Sequence, residues 1–222
     1  MNKPIVVRQA PSLGYERSVG KVNVLRPVIS KSQVERLANV LSNVYYDEPP
    51  FTYVIPDAHE RRAALPAFFR SAIGASQVHG ETYTTPAVEG GSLWIGPGRS
   101  VTIERMLRTE SSTIPFKVSR SILKRCVAFG EWTEKIRLRL IKQPHWHLLA
   151  LGAAPANEEK SLREALIEPI LSRADSYRIP CYLETFNERN LPFYEEHGFR
   201  IEGGGRVLGF GPNFWAMLRV PR

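Results

Sequence analysis

Cysteine is almost missing from this chain. Cys126 and Cys181 are the two in 222 residues, too few for a disulfide framework or a thiolate metal cage. Long apolar runs are absent as well. None approaches the roughly 20 residues that a membrane-spanning helix needs, and the first residues hold no apolar stretch of the secretory type. A cytoplasmic protein that does not use a membrane is the expectation. Acidic residues are in deficit: 22 Asp and Glu stand against 30 Lys and Arg, a formal net charge of +8. Much of the excess lies between Lys117 and Lys142, where Arg120, Lys124, Arg125, Lys135, Arg137 and Arg139 also sit. Interleaved aromatics and a base-reading motif are both missing, so nucleic acid is not an expected partner. A solvated helical face explains the run, and an acidic protein or a polyphosphate-bearing cofactor could use the same charge.

What is present is enough for one core. At 43% hydrophobic residues the chain fits one domain, residues 21–222, behind an irregular arm at 1–20 that holds Pro4, Pro11, Gly14 and Gly20. "VNVLRPV" (22–28) reads as a short strand. Ser30 caps a helix whose apolar positions Val34, Leu37, Val40, Leu41 and Val44 form one stripe. "YYDEPPFTYVIP" (45–56) reads as an aromatic, proline-broken loop that could border a binding pocket. A helix opened by Asp57 covers about 57–75. "QVHGETYTTP" and "EGGSLWIGP" read as antiparallel strands joined by a Gly90-Gly91 turn. Residues 100–142 are mostly helical, with a break near Ile114-Pro115. "GPGRS" (96–100) lacks the length and lysine of a phosphate-binding P-loop.

The last third is more regular. "HWHLLALGAA" (145–154) is a strand of the kind buried on both faces. A helix to about Tyr177 and the strand "CYLETF" (181–186) follow, making a βαβ unit with parallel strands. A short helix through "NLPFYEEHG", a strand from Phe199, a mobile glycine-rich loop (202–212) and the strand "FWAMLRV" (214–220) complete the reading.

The segment "LETFNERNLPFYEEHGF" (183–199), behind "HWHLLALGAAP" (145–155), resembles the GNAT acyltransferases, and most nearly the puromycin N-acetyltransferase branch. "RNLPFYE" followed by "GF" is its most specific element, and Pro169 inside the preceding helix is shared with that branch. The resemblance covers about residues 144–220. It implies an α/β GNAT fold: a mixed, mostly antiparallel sheet with flanking helices, whose parallel strands 4 and 5 splay to admit a pantetheine arm. It also implies an N-acyltransferase that moves an acetyl or longer acyl group from acyl-CoA to an amine-bearing small molecule or peptide. A GNAT-like binding or regulatory protein without catalysis is the alternative.

One signature departs from the family. Its phosphate turn runs Gln or Arg, two residues, Gly, one residue, Gly or Ala; here Glu158, Glu159, Lys160, Ser161, Leu162 and Arg163 stand instead. A helix N-terminus still offers free amides and partial positive charge, so Ser161, Leu162 and Arg163 could hold a diphosphate. Each glutamate opposes it by about 3 kcal/mol at 6 Å and an effective dielectric of 20, which Lys160 and Arg163 would offset. An acyl carrier protein, acidic overall and bearing the same arm without the nucleotide, is a further donor that the basic chain would attract.

The chemistry needs a neutral amine, a donor to the developing oxyanion and a proton for the departing thiolate. Tyr194 matches the family's general acid. Backbone groups of Leu151, Gly152 and Ala153 would pair with the pantetheine and thioester oxygen, and Asn190 would border the donor. Base candidates are Glu184, a carboxylate on an apolar strand that could equally be ion-paired, and His147. His145 shares the strand face of His147, but zinc would need a third ligand that the sequence does not show. No metal is therefore expected.

Overall fold

The structure, a computed structural model, describes residues 18–19, 22–23, 30–103, 106, 119–154 and 160–222. Most of the expected arm, the break near Ile114-Pro115, and Glu158 and Glu159 lie outside the described residues. Two short strands, β1 (Ser18–Val19) and β2 (Val22–Asn23), pair antiparallel.

Helix α1 (Lys31–Val44) starts where the sequence signals it. Ser30 Oγ accepts the Gln33 amide and Gln33 Oε1 accepts the Ser30 amide, a reciprocal capping box. Its stripe buries Leu37, Ala38 and Leu41. Helix α2 (Pro49–Val54) corrects the loop expected over 45–56. Pro49 and Pro50 occupy the first helical positions, where a missing N–H costs nothing, so these prolines open a helix rather than break one. Helix α3 (Ala58–His79) is capped by Asp57, whose side chain accepts the Glu60 amide at 2.7 Å.

Strands β3 (Gly80–Thr84) and β4 (Gly90–Ile95) pair antiparallel. Gly90 and Gly91 lie inside β4, not in the expected turn, which falls at 85–89. Their reason is crowding: a Cβ on Gly90 would sit 2.5 Å from the Gly152 carbonyl, and one on Gly91 would sit 2.7 Å from a Leu37 methyl. Helix α4 (Arg120–Leu140) leads to β5 (Trp146–Ala153), then α5 (Lys160–Ser176), β6 (Cys181–Thr185), the short α6 (Leu191–Glu196), β7 (Arg200–Arg206) and β8 (Asn213–Arg219). Strand β7 takes in Gly203, Gly204 and Gly205, all paired with β8. That replaces the first half of the expected mobile loop, because cross-strand pairing overrides glycine's weak strand preference.

The main sheet has the order β3-β4-β5-β6-β8-β7, with β5 and β6 its parallel pair. This is the mixed, mostly antiparallel sheet that the resemblance implies. One face packs on α5 through Leu166, Ile167, Ile170, Trp146 and Leu183. The other carries α1 and α3 around Leu41, Phe69 and Ile73, and α4 around Phe129 and Tyr182.

Two irregularities in β5 create the site. Leu93 pairs with Ala150 and Trp94 with Leu148, so Leu149 is an extra residue, a bulge that bends the strand. The β5–β6 ladder holds only from Trp146↔Cys181 to Leu148↔Leu183. Beyond that point the two parallel strands diverge.

Candidate active site

The divergence opens into a cavity of about 510 Å³ between the sheet, α1–α3 and α4. Strand β5 contributes His147, Leu149, Leu151, Gly152 and Ala153, and β6 contributes Glu184. Arg163 reaches it from α5, and Asn190 and Tyr194 from the start of α6. Eight of the residues singled out from sequence therefore meet in one place. Lys160, Ser161 and Leu162 do not line it. Lys160 pairs with Glu196 at 2.5 Å, and the Leu162 side chain is buried in the core under α5.

His147 and Glu184 face each other across the parallel pair, Nε2 to Oε2 at 2.9 Å, with 16% and 12% of their side chains exposed. A carboxylate can only accept, so Nε2–H donates; in the neutral ring this leaves the lone pair on Nδ1. Tyr182 packs beside His147, ring centroids 5.3 Å apart, and is fully buried. Burial pushes its hydroxyl pKa far up, and the Glu184 charge adds to that, so it stays neutral.

A second polar chain runs behind this pair. Arg137 of α4 is 4% exposed and binds Glu134 through two hydrogen bonds. It also donates to His145 Nε2 at 2.8 Å. Arginine cannot accept, so His145 must hold its proton on Nδ1, which donates to the Gln143 carbonyl at 2.8 Å. His145 is thereby a neutral, structural histidine. Burial first, then the Arg137 charge, lowers its pKa, against the upward pull of its bond to Gln143. Glu134 lines the cavity too. Burial acts upward on its carboxyl, but the Arg137 hydrogen bonds and charge outweigh it and the pKa falls.

Tyr194 is 6% exposed, and burial raises its hydroxyl pKa against the opposing influence of Arg163. It is a neutral phenol at pH 7. Arg163 lies over the Phe193 ring at 4.0 Å and donates to Asn190 at 3.3 Å, so α5 and α6 are tied together beside it. Glu48, on the segment between α1 and α2, accepts from Asn187 at 3.0 Å at the same end of the cavity. Of these contributors, Glu48 and Glu134 were not singled out from sequence, and Arg137, expected on a solvated helical face, is instead buried because Glu134 and His145 pair with it. Their roles depend on partners brought in by folding. Among the described residues no group of three His, Cys, Asp or Glu is gathered for a metal ion, and no helix is long and apolar enough to cross a membrane.

The mixed sheet with one parallel pair, β5 and β6, and helices on its faces is the GNAT fold, and this chain has it. No protein-family model matches the chain. Across 180 residues, 77% of the chain and 72% of the relative, it is 25% identical to an uncharacterized N-acetyltransferase of Schizosaccharomyces pombe. A solved structure from Corynebacterium glutamicum, described as histone acetyltransferase HPA2 and related acetyltransferase, superposes with a TM-score of 0.63 at 21% identity, covering 90% of this chain and 96% of that one. A mosquito arylalkylamine N-acetyltransferase-like protein gives 0.57 at 13% identity, covering 89% and 99%.

Proposed function

We propose that the chain is an N-acetyltransferase of GNAT type, moving an acetyl or longer acyl group from a pantetheine thioester to an amine. The observation that carries this reading is the single cavity in which the parted β5 edge, the Tyr194 hydroxyl and the His147–Glu184 pair come together. The similarity to a protein named as an N-acetyltransferase supports it.

Each residue then has a task. The β5 edge at Leu151, Gly152 and Ala153 pairs with the extended donor as an added strand would, and its amides stabilise the oxyanion that forms on the thioester oxygen. His147, oriented by Glu184, accepts a proton from the ammonium. The task is substantial, because an ordinary amine is neutral about once in 2,500 molecules at pH 7. As the C–N bond forms and the C–S bond breaks, Tyr194 gives its proton to the departing thiolate, and the second proton lost by the attacking nitrogen returns the phenolate to the neutral phenol through solvent. Arg163 and Asn190 border the donor, and Ser161, Leu162 and Lys160 remain the residues for its diphosphate.

The acceptor is best matched by a small molecule or peptide amine that arrives as a cation on an apolar body. The cavity joins the carboxylates Glu48, Glu134 and Glu184 to the rings of Phe51, Phe68 and Phe129. An assay of free-thiol release over a panel of amines, run with acetyl-CoA and with acetylated carrier protein, tests the proposal. Thiol release that depends on the amine is the expected result, and the faster donor identifies the physiological class. Calorimetric CoA binding with no release from any amine would favour the non-catalytic alternative.

A further inference from the structure

Tyr45, directly after α1, holds both backbone polar groups of the β5 residue Leu151 in the gap. Its hydroxyl accepts the Leu151 amide at 3.0 Å and donates to the Leu151 carbonyl at 3.2 Å. The two groups of one strand residue point the same way. Leu151 stands opposite Ser92 on β4, past the last β5–β6 pair at Leu148 and Leu183, so both groups face the gap. The ring belongs to a different part of the cavity. It packs on Phe69 at 5.2 Å and edge-on to Phe51 at 6.0 Å, within the aromatic wall of α2 and α3. Tyr45 therefore touches the donor's strand edge with its hydroxyl and the acceptor's wall with its ring.

We infer that Tyr45 is a positioning residue that stands in for the donor: its hydroxyl occupies the Leu151 backbone, and a pantetheine amide or thioester carbonyl must displace it to pair there. The inference rests on the transferase reading above. Leu151 has one amide and one carbonyl facing the gap, and a hydroxyl that both accepts and donates satisfies both at once, as an amide-bearing chain would. Such a contact keeps buried backbone groups paired and lowers the apparent donor affinity by the fraction of molecules in which the hydroxyl has moved away. Because the ring is seated among Phe51 and Phe69, its displacement also shifts the wall against which an acceptor packs. Donor entry and acceptor fit are thereby coupled through one side chain.

Tyr45→Phe keeps the ring and removes the hydroxyl. The expected result is a dissociation constant for acetyl-CoA lower by about three- to tenfold, together with a lower unfolding midpoint in protein without added donor. A merely structural role would weaken affinity and stability together. The Leu151 amide should also exchange with solvent at least about tenfold faster in the variant without donor. Free pantetheine, which lacks the nucleotide, should show the same gain as acetyl-CoA. Wild-type binding that Tyr45→Phe weakens or leaves unchanged overturns the inference alone. Failure of both proteins to bind acetyl-CoA, free pantetheine and acetylated carrier protein overturns it together with the transferase reading. If the variant does not fold, ring-labelled tyrosine in the wild type carries the test: its Tyr45 signal must move on titration with acetyl-CoA, and a static signal refutes displacement.

Discussion

Replacing Glu184 by Gln leaves the shape of the site and removes the charge that orients His147. The contact is a 2.9 Å hydrogen bond between side chains 16% and 12% exposed, and a bond to a charged partner contributes about 1.5–3 kcal/mol. At 1.36 kcal/mol per decade, kcat/KM for the amine should fall about 10- to 100-fold at pH 7. The pH dependence separates a base from a structural contact. Between pH 7 and pH 9 the neutral fraction of an ordinary amine rises from about 1 in 2,500 to about 1 in 25. Solution then supplies the species that His147 would have made, so the deficit of Glu184→Gln should shrink by about tenfold or more over that range. His147→Ala should follow the same profile, and the double variant should be little worse than either single one, because the two act as a unit. The assay is steady-state acetylation with saturating donor at both pH values. An equal deficit at pH 7 and pH 9, or none at either, refutes general-base action by this pair.

Tyr194→Phe should lower kcat about 10²-fold, the scale of a lost general acid, as read by thiol release; full activity in that variant would remove the phenol from the mechanism. For stability, Arg219 of β8 is the sensitive position. It is 4% exposed and is held by both oxygens of Asp175 on α5, at 2.8 and 2.6 Å. Asp175→Asn should cost about 1–2 kcal/mol, between an exposed and a buried pair because Arg219 is buried while Asp175 keeps solvent contact, as measured by urea unfolding. The Arg219 hydrogen bonds lower the Asp175 pKa against a smaller upward effect of burial. This stabilisation is therefore present above the unfolded carboxyl pKa of about 3.9 and is lost as pH falls through the depressed folded value. The wild type and Asp175→Asn should converge in stability toward pH 2, and a constant difference down to that pH would contradict the linkage.

Local signals in the chain determined more of the fold than of the site. Ser30 and Asp57 mark helix starts because a capping side chain and its amide partner are three residues apart. The apolar run 145–154 and the strand 181–186 mark the parallel pair because burial on both faces leaves an unbroken hydrophobic signature. "NLPFYEEHGF" carried Tyr194 to the cavity for the same local reason: the residues that build α6 are contiguous. Tertiary structure alone decided what depends on distant partners. Glycines that read as turn or loop became strand at Gly90, Gly91 and Gly203, because neighbouring backbone and side chains come too close for a Cβ or because a partner strand satisfies them. His145 and His147 look equivalent two residues apart, yet Arg137 claims one and Glu184 the other. Tyr45 reaches Leu151 across 106 positions of chain. Hydrogen-bond partners of that separation leave no periodicity in the sequence, since the spacing between them reflects the path of the chain and not the geometry of any one helix or strand.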